Sequence, residues 1–536
     1  MGEKNYFWLF TLGVLILLSA FLWQSIATLS TTAATFDEVP HLAAGYVQLT
    51  TGNYYLNQEH PPLAKLAAAA AIRPIGGEIE DLGDQWKQVD EWEFGRIFLF
   101  GNGRDHQRLL FRGRLAIIAI GLLLCIGCLI WSYQLYGPVG ALTTLALAVF
   151  CPNIIAYTRL ILTDIPIAAF ALLATYAAWQ MLAQPKIYWA IIAGIFLGAA
   201  LTSKYSALLF PPVFGLLFIY CVGQKYLNKL IDRSQVIRYA LLFAVMITFA
   251  VLVIFACYGL QPTFQPYLEG MRKVGINHHP DYPDYLLGNF KLGGYRYYFL
   301  MAFILKVSPA VLVATVLYLI LLLAKRFPNQ FNANINSRET YLFLLLPALI
   351  YSLVFSWKAP NTIGGIRYIL PIFPFLFVLL GALGNLLWSM RKGRVVLVVL
   401  LALHIYAAVD AYPDPISYFN GLLGCKGTDA INCLDGACLD LGQDLGRVAK
   451  ELEHIRKPYE QVRLLYFGSA DPNAYLTNWQ DVEPDEIIRP RAQLYVVSVH
   501  ALNRLSIGAP AGINWFNRFR PLGSIGNTYL IYDFRR

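Results

Sequence analysis

Runs of about twenty consecutive apolar residues recur through most of the first 410 positions of this chain, the length an α-helix needs to cross the hydrocarbon core of a bilayer. In that solvent every backbone N–H and C=O must be satisfied internally, which leaves helices and closed barrels as the only spanning forms. The runs are long and show no strict alternation, so they read as helices. About eleven candidate spans can be drawn, at 7–28, 115–135, 138–156, 165–183, 187–203, 205–222, 237–258, 297–324, 339–356, 367–389 and 395–410. Only 14% of the 536 residues are charged and 57% are hydrophobic. The sequence therefore predicts a polytopic α-helical membrane protein.

The net charge of +9 is explained by where the cations fall. With the N-terminus in the cytoplasm, Lys186, then Lys225, Lys229, Arg233 and Arg238, then Lys325, Arg326 and Arg338, then Arg391, Lys392 and Arg394 all occupy short cytoplasmic loops. This positive-inside pattern removes any need for a nucleic-acid partner. It puts 29–114, the Arg159–Asp164 loop, 259–296, 357–366 and everything after about 411 on the outer side of a cytoplasmic (inner) membrane, facing the periplasm or exterior. The weakly basic start and long first apolar run favour a retained anchor over a signal peptide cut near Thr32-Ala33-Ala34.

Two units are expected: a membrane module over 1–410 and an extracytoplasmic α/β domain over 411–536. Within the first outer loop, Leu63 to Ile72 is too short to span and reads as an interfacial helix, with a second amphipathic stretch from Glu78 to Phe94. In the tail, Leu439 to Ile455 reads as an amphipathic helix, and 462–467, 494–499 and 528–534 as strands. Of the tail cysteines Cys425, Cys433 and Cys438, two are expected to form one local disulfide, leaving one over. Cys125 and Cys128, in an apolar helix, read as packing.

Ionisable residues at a water–lipid boundary are costly and mark function. Three clusters share the outer face. Asp37-Glu38 follows the first span: one carboxylate suits a general base with its neighbour in support, although Asp37 alone would also serve as an N-cap. His41, one helical turn on, is placed to share or orient the proton. Glu59-His60-Pro61-Pro62 offers an acid and an imidazole before a helix N-terminus, with Lys65 facing the headgroup zone; a phosphate there gains from the dipole, and a capped interfacial helix is the equally good structural alternative. Asp164, in Thr163-Asp164-Ile165-Pro166, is by itself an ordinary helix start, and Arg159 is placed to pair with it or with a phosphate. Lys204, Arg296, Lys358 and Arg367 are further cations able to hold an anionic leaving group. His278-His279-Pro280-Asp281 lacks metal-ligand spacing, so neither a metal nor any other cofactor is firmly implied.

An Asp-Glu pair after the first span, followed by Glu59-His60-Pro61-Pro62-Leu63-Ala64-Lys65, resembles the GT-C glycosyltransferases of the protein O-mannosyltransferase and aminoarabinose-transferase type, and more closely the bacterial phospholipid-carrier-dependent glycosyltransferase family 39. Tyr157-Thr158-Arg159 to Asp164-Ile165-Pro166, Ser203-Lys204-Tyr205, Tyr297-Tyr298-Phe299 with Lys306, Ile366-Arg367-Tyr368-Ile369-Leu370-Pro371, Ile416 to Asn420 and Leu441 to Leu445 extend the resemblance along nearly the whole chain. In the tail, Leu441 stands where the family pattern has Trp. The resemblance implies an inverting transferase that takes a sugar from a polyprenyl-phosphate carrier to a protein, lipid or glycan acceptor. Asp37 would be the base, Asp164 a second acid, and Glu38 and His41 supporting residues. Glu59, His60, Lys65, Arg159, Lys204 and Arg367 would surround the carrier phosphate. A flippase or transporter of lipid-linked sugars is the main rival; it calls for charges at mid-membrane and a path open to both faces. A scaffold would leave the acids idle.

Overall fold

The computed structural model describes residues 3–535 apart from 102, 262, 278–282, 325–336, 358–363, 458–459, 506 and 508–514. Lys325, Arg326, Lys358 and the His278–Asp281 group lie outside the described residues. The first helix, α1 (Glu3–Ile26), is followed by the long loop expected on the outer face, which carries α2 (Glu38–Thr51), α3 (Leu63–Ile72) and α4 (Glu91–Phe100). The bundle continues through α5 (His106–Val149), α6 (Pro152–Thr158), α7 (Asp164–Ala183), α8 (Ile187–Leu201), α9 (Phe210–Leu227) and α10 (Arg233–Cys257). After α11 (Gln265–Asn277) and a hairpin, β1 (Asp284–Leu286) with β2 (Asn289–Lys291), come α12 (Tyr298–Lys306), α13 (Pro309–Leu323), α14 (Ser337–Trp357), α15 (Phe373–Ser389) and α16 (Arg391–Asp410).

Among the described residues, 8 helices are long and apolar enough to cross a membrane, or 9 if one bent pair counts as a span. The difference from about eleven lies at identifiable breaks. The 44 residues of α5 would reach about 66 Å at 1.5 Å each, twice a bilayer. Gly137 at φ 75° and ψ −167°, a conformation open only to glycine, together with Pro138, breaks it into two helices. The run expected as a single span at 297–324 is bent by 116° between α12 and α13. Pro309 cannot continue the hydrogen-bond ladder, and Ser308 caps the new helix through Val311 N. With 15 residues, α8 is short for a span. It packs tightly on α10 because Gly194 and Gly198, one turn apart, leave no room for a Cβ against Met246 and Ala250. Among the helices long enough to span, α7 is the most enclosed.

The ends of the bundle differ. At one, Lys225 meets Glu339 at 3.4 Å and Arg238 donates to Pro185 O, so the cation-rich loops gather there. At the other stand the outer loop and the tail. Residues 411–444 form turns and short 3₁₀ segments closed by a disulfide, Cys425–Cys433, while Cys438 is buried and unbridged. The helix expected from Leu439 begins only at Leu445 (α17, Leu445–Ile455), because Leu439–Asp444 turns into the protein and hydrogen-bonds the outer loop: Phe36 N donates to Leu441 O at 2.8 Å and Ala33 N to Gln443 O at 3.0 Å. A five-stranded sheet follows, built from β3 (Val462–Leu465), β4 (Trp479–Asp481), β5 (Leu494–Ser498), β6 (Gly523–Ile525) and β7 (Tyr529–Asp533). The order is β4-β3-β5-β7-β6, with β4, β3 and β5 parallel and β7 antiparallel to both β5 and β6. Leu464, Val496 and Ile531 of the sheet, Val448 and Leu452 of α17, and Val39, Leu42 and Phe98 of the outer loop belong to one apolar cluster. Sheet and loop therefore position each other.

Candidate active site

Asp37 sits where an N-cap would, at the start of α2, but its carboxylate makes no capping bond. It turns instead to Arg367, whose Nη1 donates to Oδ2 at 2.5 Å. The backbone behind it is clamped: Ser469 Oγ donates to Phe36 O at 2.6 Å, and the Phe36 ring lies between Trp92 (4.4 Å) and Phe467 (5.2 Å). A second pair stands beside the first. Asp164, the first residue of α7, accepts from Lys204 Nζ at 2.6 Å. Tyr368 is the shared wall, its ring centre 4.7 Å from Lys204 Nζ and 6.0 Å from the Arg367 guanidinium. Two carboxylates and two cations thus form one group brought from the loop before α2, the α7 start, the α8 end and the 3₁₀ stretch Gly365–Ile372.

Burial pushes the Asp37 carboxyl up, yet Arg367, with help from His41 and Lys204, more than reverses this and holds it below the ordinary carboxylate value. Burial lowers Lys204 against the opposing pull of Asp164. Glu59 and His60 complete the rim: His60 Nδ1 is 3.8 Å from Glu59 Oε1, and burial, with the cations around it, keeps the imidazole well below its usual pKa and so neutral. His41 packs edge-on against His60 at 4.6 Å. Its Nδ1 bonds Ile161 O at 2.8 Å, so this nitrogen carries the proton and Nε2 is left with a buried lone pair. Asp37 acts on His41 through space, while the hydrogen bond that orients the ring is the one to Ile161.

Three expected members lie elsewhere. Glu38 is turned away from Asp37 and fully buried. It accepts Arg114 Nε and Nη2 at 2.8 and 2.6 Å, Thr35 N and Oγ1, and Ile161 N. Lys65 does not face the headgroup zone: its ammonium is fully buried and bonds Asn57 O and Oδ1 at 2.6 and 3.1 Å, and burial draws its pKa down to about 7. Arg159 pairs with neither Asp164 nor a site cation's partner; it bonds Pro413 O and Thr32 Oγ1. The reason is α6: Tyr157, two residues earlier, points its hydroxyl to Ala437 O on the site side, which turns Arg159 to the other side. Arg296 stacks 5.1 Å over Trp357. Sequence reasoning missed Tyr368 and Arg114. An arginine opening a long apolar run was a visible signal for Arg114; Tyr368 carried none beyond adjacency to Arg367.

Among the described residues, no group of three or more His, Cys, Asp or Glu is arranged to hold a metal ion.

A helical bundle with its charged site at one end, under an outer loop and a mixed sheet, has the GT-C glycosyltransferase architecture. Within that class, residues 50–265 match the family described as Dolichyl-phosphate-mannose-protein mannosyltransferase. The crystal structure of ArnT from Cupriavidus metallidurans bound to undecaprenyl phosphate shares the fold, with a TM-score of 0.50 at 13% identity over 97% of each chain. The archaeal oligosaccharyltransferase AglB from Archaeoglobus fulgidus, in complex with an inhibitory peptide and a dolichol-phosphate, matches at TM-score 0.46 and 10% identity over 88% of this chain and 65% of its own. The S. cerevisiae protein O-mannosyltransferase Pmt1-Pmt2 complex bound to the sugar donor matches at 0.36 and 19% over 52% and 39%. No curated protein matches the chain in sequence.

Proposed function

We propose that this chain is an inverting glycosyltransferase that moves a sugar from a polyprenyl-phosphate carrier to a hydroxyl or amine of a protein, lipid or glycan acceptor. The double pair Asp37–Arg367 and Asp164–Lys204 carries the reading. An ion pair that served only stability would be as well replaced by apolar residues, whereas two cations sharing a wall suit an incoming phosphate. In the resting site the cations are occupied by the carboxylates. A lipid phosphate competes for Arg367 and Lys204, and each hydrogen bond it draws off Asp37 restores that carboxylate's basicity. The acceptor oxygen then attacks the anomeric carbon as its proton passes to Asp37. The bond from carbon to phosphate oxygen breaks with its electron pair on the phosphate, held by Arg367 and Lys204.

The orientation proposed puts this end of the bundle outside the cytoplasmic membrane, with eleven crossings: both halves of α5, the short α8 and the bent α12–α13 pair each supply one, and the tail forms an outer α/β unit. The test is transfer of labelled sugar from polyprenyl phosphate by the purified protein. Asp37→Asn is expected to lower turnover about 10²–10⁴-fold. Equal transfer by wild type and Asp37→Asn would refute the base assignment, and movement of lipid-linked sugar across proteoliposomes without transfer would favour the transporter.

A further inference from the structure

Arg159 is only 4% exposed, yet its guanidinium is poorly satisfied. Of the five N–H hydrogens of an arginine, one goes to Pro413 O at 3.1 Å and one to Thr32 Oγ1 at 2.9 Å, and Nε is buried without a partner. No carboxylate reaches it at ion-pair distance among the described residues. Burial draws its pKa down to about 10, so it stays charged at neutral pH. A buried cation with no carboxylate at ion-pair distance is costly, and buried donors without acceptors call for an explanation.

Arg159 also lines an open groove of about 260 Å³, a seam between residues of α1 and residues at the end of α16. Ala20, Trp23, Phe150, Ile155, Val409 and Tyr412 line it together with Arg159. At its mouth Trp23 and Tyr412, both exposed, stack at 5.8 Å with their planes 10° apart, the aromatic pairing expected at a membrane interface. The recess on the other side of Arg159, beside Asp414 and Arg447, has room for about 10 Å³, one water and no anion. Of these two spaces beside Arg159, the groove alone is large enough for an anion.

We propose that this seam is a binding site for an anionic phospholipid, with its phosphate on Arg159 and an acyl chain in the groove. The site is separate from the catalytic group. The charges that act most strongly on Arg159 are Asp414, Arg114 and Arg447, whereas Asp37 answers to Arg367, His41 and Lys204.

The experiment is binding to the delipidated full-length protein in detergent, measured by native mass spectrometry, for phosphatidylglycerol and phosphatidylcholine with identical chains. Wild type is expected to prefer phosphatidylglycerol. Arg159→Gln should weaken that lipid about 10- to 100-fold, the worth of a charge-assisted hydrogen bond. Val409→Trp, at a position 65% exposed, should obstruct the groove and weaken it as well, and it decides the matter should Arg159→Gln misfold. Equal affinity for the two lipids, or unchanged phosphatidylglycerol binding by Val409→Trp, would overturn the proposal. So would displacement of the bound lipid by equimolar polyprenyl phosphate, which would make this a carrier site. None of these readouts involves sugar transfer, so the proposed activity stands or falls separately.

Discussion

Neighbouring carboxylates with opposite surroundings give the sharpest prediction. Glu38 receives Arg114 Nε and Ile161 N on Oε1, and Arg114 Nη2, Thr35 N and Thr35 Oγ1 on Oε2. In Glu38→Gln one of these oxygens becomes an NH₂ group facing at least two donors, whichever way the amide is turned, and Arg114 loses the one carboxylate it pairs with among the described residues. Burial alone would push the Glu38 carboxyl up, yet Arg114 and the donors hold it below its ordinary value, which shows how completely the ionised form is accommodated. Breaking a buried pair from one side costs about 3–5 kcal/mol, a large share of the roughly 5–15 kcal/mol that keeps a domain folded. For a chain of 536 residues that means a fall of roughly 3–4 °C in melting temperature. Asp37→Asn should fall by less than half as much, because Asn still accepts from Arg367 and Asp164 remains beside that guanidinium. The assay is thermal denaturation of both variants in detergent, with sugar transfer measured well below the transition. If Glu38→Gln kept its melting temperature within a degree of wild type but lost turnover as Asp37→Asn does, the structural reading of Glu38 would be refuted.

Lys204→Met and Arg367→Met are each expected to raise the apparent KM for the lipid-linked donor about tenfold or more, through loss of a charge-assisted contact to phosphate; a donor titration with unchanged KM would remove them from the phosphate site. In the tail, burial raises the Asp440 carboxyl to about 6. A folded-state pKa above the unfolded one contributes stability that is present at low pH and lost as pH rises through it. The melting temperature is therefore expected to decline between about pH 4 and 6, and Asp440→Asn to flatten the decline. Cys425→Ser with Cys433→Ser opens a loop of 8 residues, for which chain entropy gives about 2–3 kcal/mol. The segment so anchored supplies Ala437 O to Tyr157 and Cys438 O to Lys306, so turnover and melting temperature should fall together, and a fall in neither would show that this loop is held by packing alone.

The amino-acid sequence by itself determined the solvent of this protein and the clustering of its costly charges. Long apolar runs, cations confined to alternate loops and acids at the opposite boundaries follow from the dielectric contrast between lipid and water, which acts on each residue locally. Local chemistry singled out Asp37, and the family resemblance added Asp164, Lys204 and Arg367 to it. What it could not supply was partnership. Asp37 and Glu38 are adjacent, and only the tertiary structure sends one to Arg367, 330 positions away, and the other to Arg114, 76 positions away. Lys65 and Arg159 are ordinary boundary cations as letters; the fold buries one on Asn57 and turns the other to a different seam. Charge reaches across a few ångströms, and which groups lie within that reach depends on the packing of helices remote in sequence. Residue type thus fixed what the site can be made of, and tertiary contact decided which acid meets Arg367 beside Lys204 and which one is tied to Arg114.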